Sequence, residues 1–188
     1  MVKFFIGLDL GQTSDYTAAA VLEQIFPEGE KSEAAYHIRH LERVRGIPYP
    51  EVCRKVAEIM QSPALAGNAA LVVDQTGVGG PVVDLLRSSG LKLIAVSIHG
   101  GDKVTHEGDN FRVPKRDLAA VLQVLFQSTR LKISKKLPLA AVLQAELLNF
   151  RVKIDPVTAH DSYSAWREQD HDDLVLAVAL AARYGQQP

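Results

Sequence analysis

The spacing of apolar and polar positions divides the first half of the chain into strands. Residues 3–10 form an apolar run, expected as a central strand with Phe5, Gly7 and Asp9 on one face and Phe4, Ile6 and Leu8 on the other. Residues 11–15 are turn-forming, and 16–24 resume as a second strand, so the pair reads as a hairpin. After a charged turn at 27–32, residues 34–45 place Tyr36, Ile38, Leu41 and Val44 loosely among charges, as expected of a half-exposed third strand. Helical spacing follows at Val52, Val56, Ile59 and Met60, opened by Pro50 and ended near Ser62 and Pro63.

Strand and helix alternate from there. Residues 69–74 read as a buried strand, 82–89 as a helix closed by Gly90, and 92–98 as a fifth strand. Residues 99–113 are rich in Gly, Asp and His with little apolar content, and are expected to form a mobile loop. Pro114 opens a helix through 127 with Leu118, Val121, Leu122 and Leu125 on one face. Residues 137–149 read as another helix, 150–154 as a short strand and 156–166 as irregular. Over 171–184 a last helix is expected to bury a stripe of Leu174, Val175, Val178, Ala181 and Ala182. The first three strands read as antiparallel and the later ones as parallel, so the fold class is α/β, a mixed sheet with helices on both faces.

Composition adds boundaries. A length of 188 residues with 47% apolar content fits a single domain over 1–188, without repeats or linkers. No long uncharged apolar run and no secretory leader is present, so neither a membrane span nor export is expected, and the cytoplasm is the default compartment. The lone Cys53 excludes an internal disulfide or a cysteine-based zinc cluster and reads as a small buried hydrophobe. Net charge is −1, which argues against coating of nucleic acid by the whole surface. Its distribution is uneven. Residues 112–136 carry seven basic residues, including Lys115, Arg116, Arg130 and Lys132, against Asp117 alone, whereas 155–173 carry six acids against Arg167. A basic rim beside an acidic pocket suits a phosphodiester cut with the help of bound cations.

The acids stand at informative places. Asp9 and Asp74 each end an apolar strand, and ligands in open α/β sheets bind beyond the C-terminal strand ends, where the two can converge. Asp172 and Asp173 begin an otherwise apolar helix, where an acid also serves as a cap. Three or four carboxylates from separate elements meet the demand of Mg2+ or Mn2+ for oxygen ligands. Whether Asp172 or Asp173 turns toward the strand ends is open. His171 is a candidate ligand, proton carrier or surface residue, and His99, His106 and His160 fall in expected loops without metal-ligand spacing. The GVGG run at 77–80 lies between a strand and a helix, suited to a tight turn or to binding phosphate through backbone N–H groups. No P-loop motif occurs. Lys115 and Arg116 at a helix start oppose the helix dipole, a hint of phosphate contact.

Four blocks in order, GLDLG with DYTA at 7–18, VVDQTGVG at 72–79, VPKRDL at 113–118 and DHDDLV at 170–175, resemble the nuclease domain of phage terminase large subunits, which has an RNase H-like fold. The resemblance implies a Mg2+- or Mn2+-dependent endodeoxyribonuclease that cuts concatemeric double-stranded DNA during genome packaging with two metal ions. It makes Asp9, Asp74 and Asp173 the catalytic metal ligands, Asp172 an auxiliary ligand, and Asp15 a supporting acid. The partners implied for a full terminase are a packaging ATPase domain, a small subunit and a portal, and no sequence for the ATPase is present here. Two alternatives share the core fold. One is a Holliday-junction resolvase. The other is a single lobe of the sugar kinase, Hsp70 and actin superfamily, whose first phosphate loop is similar to FIGLDLGQT at 5–13.

Overall fold

In the computed structural model, residues 3–11, 15–27, 33–77, 79–150 and 171–187 are described. An eight-stranded mixed sheet runs through them in the order β6-β7-β5-β4-β1-β2-β3-β8. Strand β1 (Phe4–Asp9) is central, antiparallel to β2 (Tyr16–Ile25), which is antiparallel to β3 (Ala35–Arg45). On its other side β1 pairs in parallel with β4 (Ala69–Asp74), and β4 with β5 (Leu93–His99). Three antiparallel strands followed by parallel ones make this the RNase H-like arrangement.

Strand parity sorts the side chains into two layers. Phe4, Ile6, Leu8, Val21, Leu71 and Val73 face helices α1 (Tyr49–Gln61) and α2 (Gly79–Ser88). Phe5, Ala18, Ala20, Val72 and Val96 face α3 (Lys115–Gln127), α4 (Ala140–Asn149) and α5 (Asp173–Gly185). Asp9 and Asp74 continue the second set by alternation, so both point to the α5 side at the C-terminal strand ends.

Helix α5 lies directly on β1. A Cβ built on Gly7 would stand 1.8 Å from the carbonyl oxygen of Ala177, so only glycine admits this approach. The neighbouring strand contributes Ala18 and Ala20, both fully buried and small enough to let the helix sit low. With the sheet beneath and α3 and α4 alongside, every α5 residue from Asp173 to Ala182 is buried. The expected one-sided stripe is therefore corrected to a helix apolar all round, the pattern of a fully enclosed element.

Residues 99–113 are not a loop. Strand β6 (Thr105–Glu107) and β7 (Asn110–Pro114) form a hairpin, and β7 adds in parallel to the edge of β5. Its polar composition reflects an edge with side chains open to solvent, while Val113 is buried. Gly108, at φ +56°, makes the hairpin turn. An unexpected strand, β8 (Leu131–Lys132), pairs with β3 at the opposite edge. Pro138 and the left-handed Leu139 (φ 64°) delay α4 to Ala140. The expected strand at 150–154, after Phe150, and the irregular stretch at 156–166 fall outside the described residues.

Replacing Gly7 with alanine is expected to lower the melting temperature by roughly 5 °C or more, because the clash is with backbone that cannot rotate away. Thermal denaturation followed by circular dichroism measures this. An unchanged midpoint would mean that α5 does not approach β1 so closely.

Candidate metal centre

The end of β1 delivers Asp9 to the α5 side, and the end of β4 delivers Asp74 one strand away, with Leu8 and Val73 in register just before them. Helix α5 starts over the same point, so Asp173 and Asp172 face the two strand-terminal acids across the layer. Burial is the main reason the Asp9 carboxyl is pushed well above its ordinary range. The charges of Asp74, Asp173 and Asp172 add to the rise, and Lys115 opposes it.

Three of these carboxylates, Asp74, Asp172 and Asp173, have fixed partners. Asp74 is buried and Oδ1 accepts the Thr76 N–H at 2.7 Å, an Asx turn that anchors the strand end. The Thr76 hydroxyl in turn accepts the Ile98 N–H at 2.7 Å, tying that turn to β5. Asp172 Oδ2 accepts a 2.9 Å bond from Lys115 Nζ, at the first turn of α3. Asp173 Oδ2 accepts from the Arg43 guanidinium at 2.8 Å. Burial raises the Asp173 carboxyl above its ordinary pKa despite Arg43, with Asp15 adding to the rise.

A second group adjoins the first through Asp173. One ligand atom each from Asp15, His171 and Asp173 lies within 4.8 Å of the others, with His171 Nδ1 3.7 Å from Asp173 Oδ2. The His171 ring stands edge-on to Tyr16 at 5.1 Å, and the Arg43 guanidinium covers Tyr16 at 3.8 Å from its centroid. Five carboxylates, Asp9, Asp15, Asp74, Asp172 and Asp173, thus gather around two cations, Arg43 and Lys115. Every acidic donor is a hard oxygen, and among the described residues the carboxylates of the cluster outnumber the cations that touch them. That balance suits a divalent cation.

The basic candidates separate. Lys115 is part of the cluster. Arg116 follows it at the rim, half-exposed, with Nη2 donating to the Asp102 carbonyl at 3.1 Å. Arg130 and Lys132 lie beside the start of β3, at the opposite end of the sheet from the acids. Arg130 pairs there with Glu33 at 3.3 Å and donates to the Ala34 carbonyl. His99 accepts the Gly101 N–H on Nδ1, and His106 stacks on Phe111; both belong to the β5–β7 edge. His160 lies outside the described residues. At φ +86°, Gly77 meets the demand of a turn. The apolar cavity between α3 and α4, lined by Leu122, Phe126 and Leu147 among others, contains none of the acids.

Two residues not anticipated from the sequence complete the site, Arg43 on β3 and Glu146 on α4. Glu146 is buried, and its Oε2 accepts the N–H groups of Leu174 at 2.9 Å and Val175 at 3.2 Å. Its other oxygen lies 3.4 Å from Arg43 Nη1. Burial raises the Glu146 pKa to about 7 although the two N–H groups and Arg43 pull it down. A lone acid inside the apolar run of α4 was the available signal for Glu146; Arg43, among the many charges of β3, had none.

No family model and no curated protein matches the chain by sequence. Solved structures do match. The large terminase nuclease from thermophilic phage G20c is 22% identical, over 99% of this chain and 83% of that one, with a TM-score of 0.67. The Mn-soaked human cytomegalovirus terminase nuclease domain is 16% identical over 98% of this chain and 85% of that one, at TM-score 0.56. The HK97 bacteriophage large terminase gives TM-score 0.60 at 14% identity over 97% of this chain, which spans 39% of that protein. The chain shares the fold of large terminase nuclease domains.

A carboxyl with a raised folded-state pKa holds more protons folded than unfolded. Its stabilising effect is present at low pH and is lost as pH rises, here from the ordinary 4.5 through about 7 for Glu146. Glu146→Gln cannot titrate. The stability of the native protein relative to this variant, from denaturant midpoints, is expected to fall as pH increases across that window, and a pH-independent difference would show that Glu146 stays ionised.

Proposed function

We propose that the chain is a divalent-metal-dependent endodeoxyribonuclease acting on double-stranded DNA. The observation that carries this reading is the convergence of Asp9, Asp74 and Asp173, from three separate elements, around an excess of negative charge. The shared fold supports it, and one of the fold relatives was soaked with Mn. Asp9, Asp74 and Asp173 would hold two Mg2+ or Mn2+ ions, with Asp172 as an auxiliary ligand and Asp15 and His171 behind them. Bound ions of this kind activate an attacking water and stabilise the leaving oxygen.

The protein's own residues do the remaining work. Burial and three other carboxylates raise the Asp9 pKa, and positive charge held in the cluster would favour its ionised form. Asp74, anchored by its turn, keeps its place during this change. Lys115 is paired with Asp172 and stands at the cluster's edge, where a phosphodiester competes for its ammonium group. Arg116 extends that positive rim. Arg130 and Lys132, at the far end of the sheet, would meet only DNA that continues past the site. In the packaging setting that the sequence resemblance implies, the substrate would be concatemeric DNA and the associated parts a packaging ATPase domain, a small subunit and a portal.

Plasmid nicking is the test. Activity is expected with Mn2+ or Mg2+, none with EDTA, and a loss of at least about 100-fold in each of Asp9→Ala, Asp74→Ala and Asp173→Ala, with a smaller loss in Asp172→Ala. Cutting without metal, or full activity in Asp9→Ala and Asp74→Ala, would overturn the reading.

A further inference from the structure

Helix α5 begins in an unusual way. Asp172 occupies the N-cap position, yet its side chain makes no capping bond and instead holds Lys115. The capping is supplied from another helix: Glu146 of α4 accepts the N–H groups of Leu174 and Val175 with one oxygen. Both acids of the α5 start are thereby released from helix capping. Arg43 reaches the same point from β3, lying between Glu146 and Asp173 with its face on Tyr16. Arg43 is aligned with Ala18, which is aligned with Asp9, so the three share one level of the sheet, with only a methyl group between the guanidinium strand and Asp9.

We propose that Glu146 and Arg43 are positioning residues for the metal centre, an inference that rests on the nuclease reading above. Glu146 sets the height and rotation of the first turn of α5. Arg43 takes Oδ2 of Asp173, so that this carboxylate offers a single oxygen towards Asp9 and Asp74. One oxygen per carboxylate suits the octahedral demand of Mg2+ or Mn2+, whereas Ca2+ readily accepts both oxygens of one carboxylate. The second oxygen of Glu146 lies 3.4 Å from Arg43 Nη1 and keeps the guanidinium directed inward. Neither residue touches the substrate in this arrangement. Their effect passes through Asp173.

The test measures Mn2+ binding to the intact protein by calorimetry and by the electron paramagnetic resonance of free Mn2+, without substrate, alongside Ca2+ competition. Arg43→Gln and Glu146→Ala are expected to weaken Mn2+ binding roughly 10- to 100-fold. Arg43→Lys and Glu146→Gln are expected to recover part of the loss. Arg43→Gln is also expected to shift preference towards Ca2+, and Glu146→Ala to speed amide exchange at Leu174 and Val175. Should Glu146→Ala not fold, Arg43→Gln decides. Native Mn2+ affinity and native Ca2+ discrimination in Arg43→Gln, whatever its melting temperature, would make the network a matter of stability alone and overturn the inference while leaving the nuclease reading intact. Wild-type protein that binds no Mn2+ would remove both.

Discussion

The contact of α5 with β1 at Gly7 is the constraint on which the site depends. Backbone meets backbone there, since the space a methyl group would need is occupied by the Ala177 carbonyl. A helix standing one side chain higher would carry Asp173 away from Asp9 and Asp74. The small residues of β2, Ala18 and Ala20, extend the same low seat to the neighbouring strand. Enclosure of α5 by the sheet, α3 and α4 then fixes its rotation, because no face of the helix is left to slide toward solvent. Packing density in the core thus sets the geometry of the charges at its edge.

Concentrating carboxylates at that edge works against folding. Burial and mutual repulsion raise Asp9 and Asp173 above ordinary carboxyl values, and Glu146 shares the cost. The fold offsets part of this with two cations used differently. Arg43 is enclosed, fork-shaped and held by two acids and an aromatic face, which suits a permanent structural role. Lys115 is a point charge on a flexible stem at the first turn of α3, suited to exchanging one anionic partner for another.

Likeness to large terminase nuclease domains is a likeness of fold, at 14–22% identity among the structures compared. The chain's own contacts give the detail of the sheet. The hairpin of β6 and β7 extends the parallel side of the sheet, and β8 extends the antiparallel side. The acids gather near the middle, where β1 parts from an antiparallel neighbour to meet a parallel one. Strand ends on the parallel side run out together there, and a helix crossing above them can bring its first turn to the same place.

Much of this was legible in the sequence. Apolar runs ending in Asp9 and Asp74, and an apolar helix opened by Asp172 and Asp173, encode strand ends and a buried helix through local periodicity alone. The hairpin at 105–114 was hidden because an edge strand needs few apolar residues, and its pairing depends on a partner distant in the chain. Arg43 was hidden for a sharper reason. The register of β2 with β3 shifts between Val21 and Leu22, where Arg39 has no counterpart, so the inward positions change from Tyr36 and Ile38 to Leu41 and Arg43. Simple alternation would have put Val44 inward and Arg43 outward. Local pattern therefore determined the central strands, the main helices and the acids that end or open them. Only tertiary structure decided that Arg43 pairs with Asp173 and that Glu146 caps the next two residues, because a bulge, a cap borrowed from another helix and an ion pair across 130 positions are all set by contacts between separate elements.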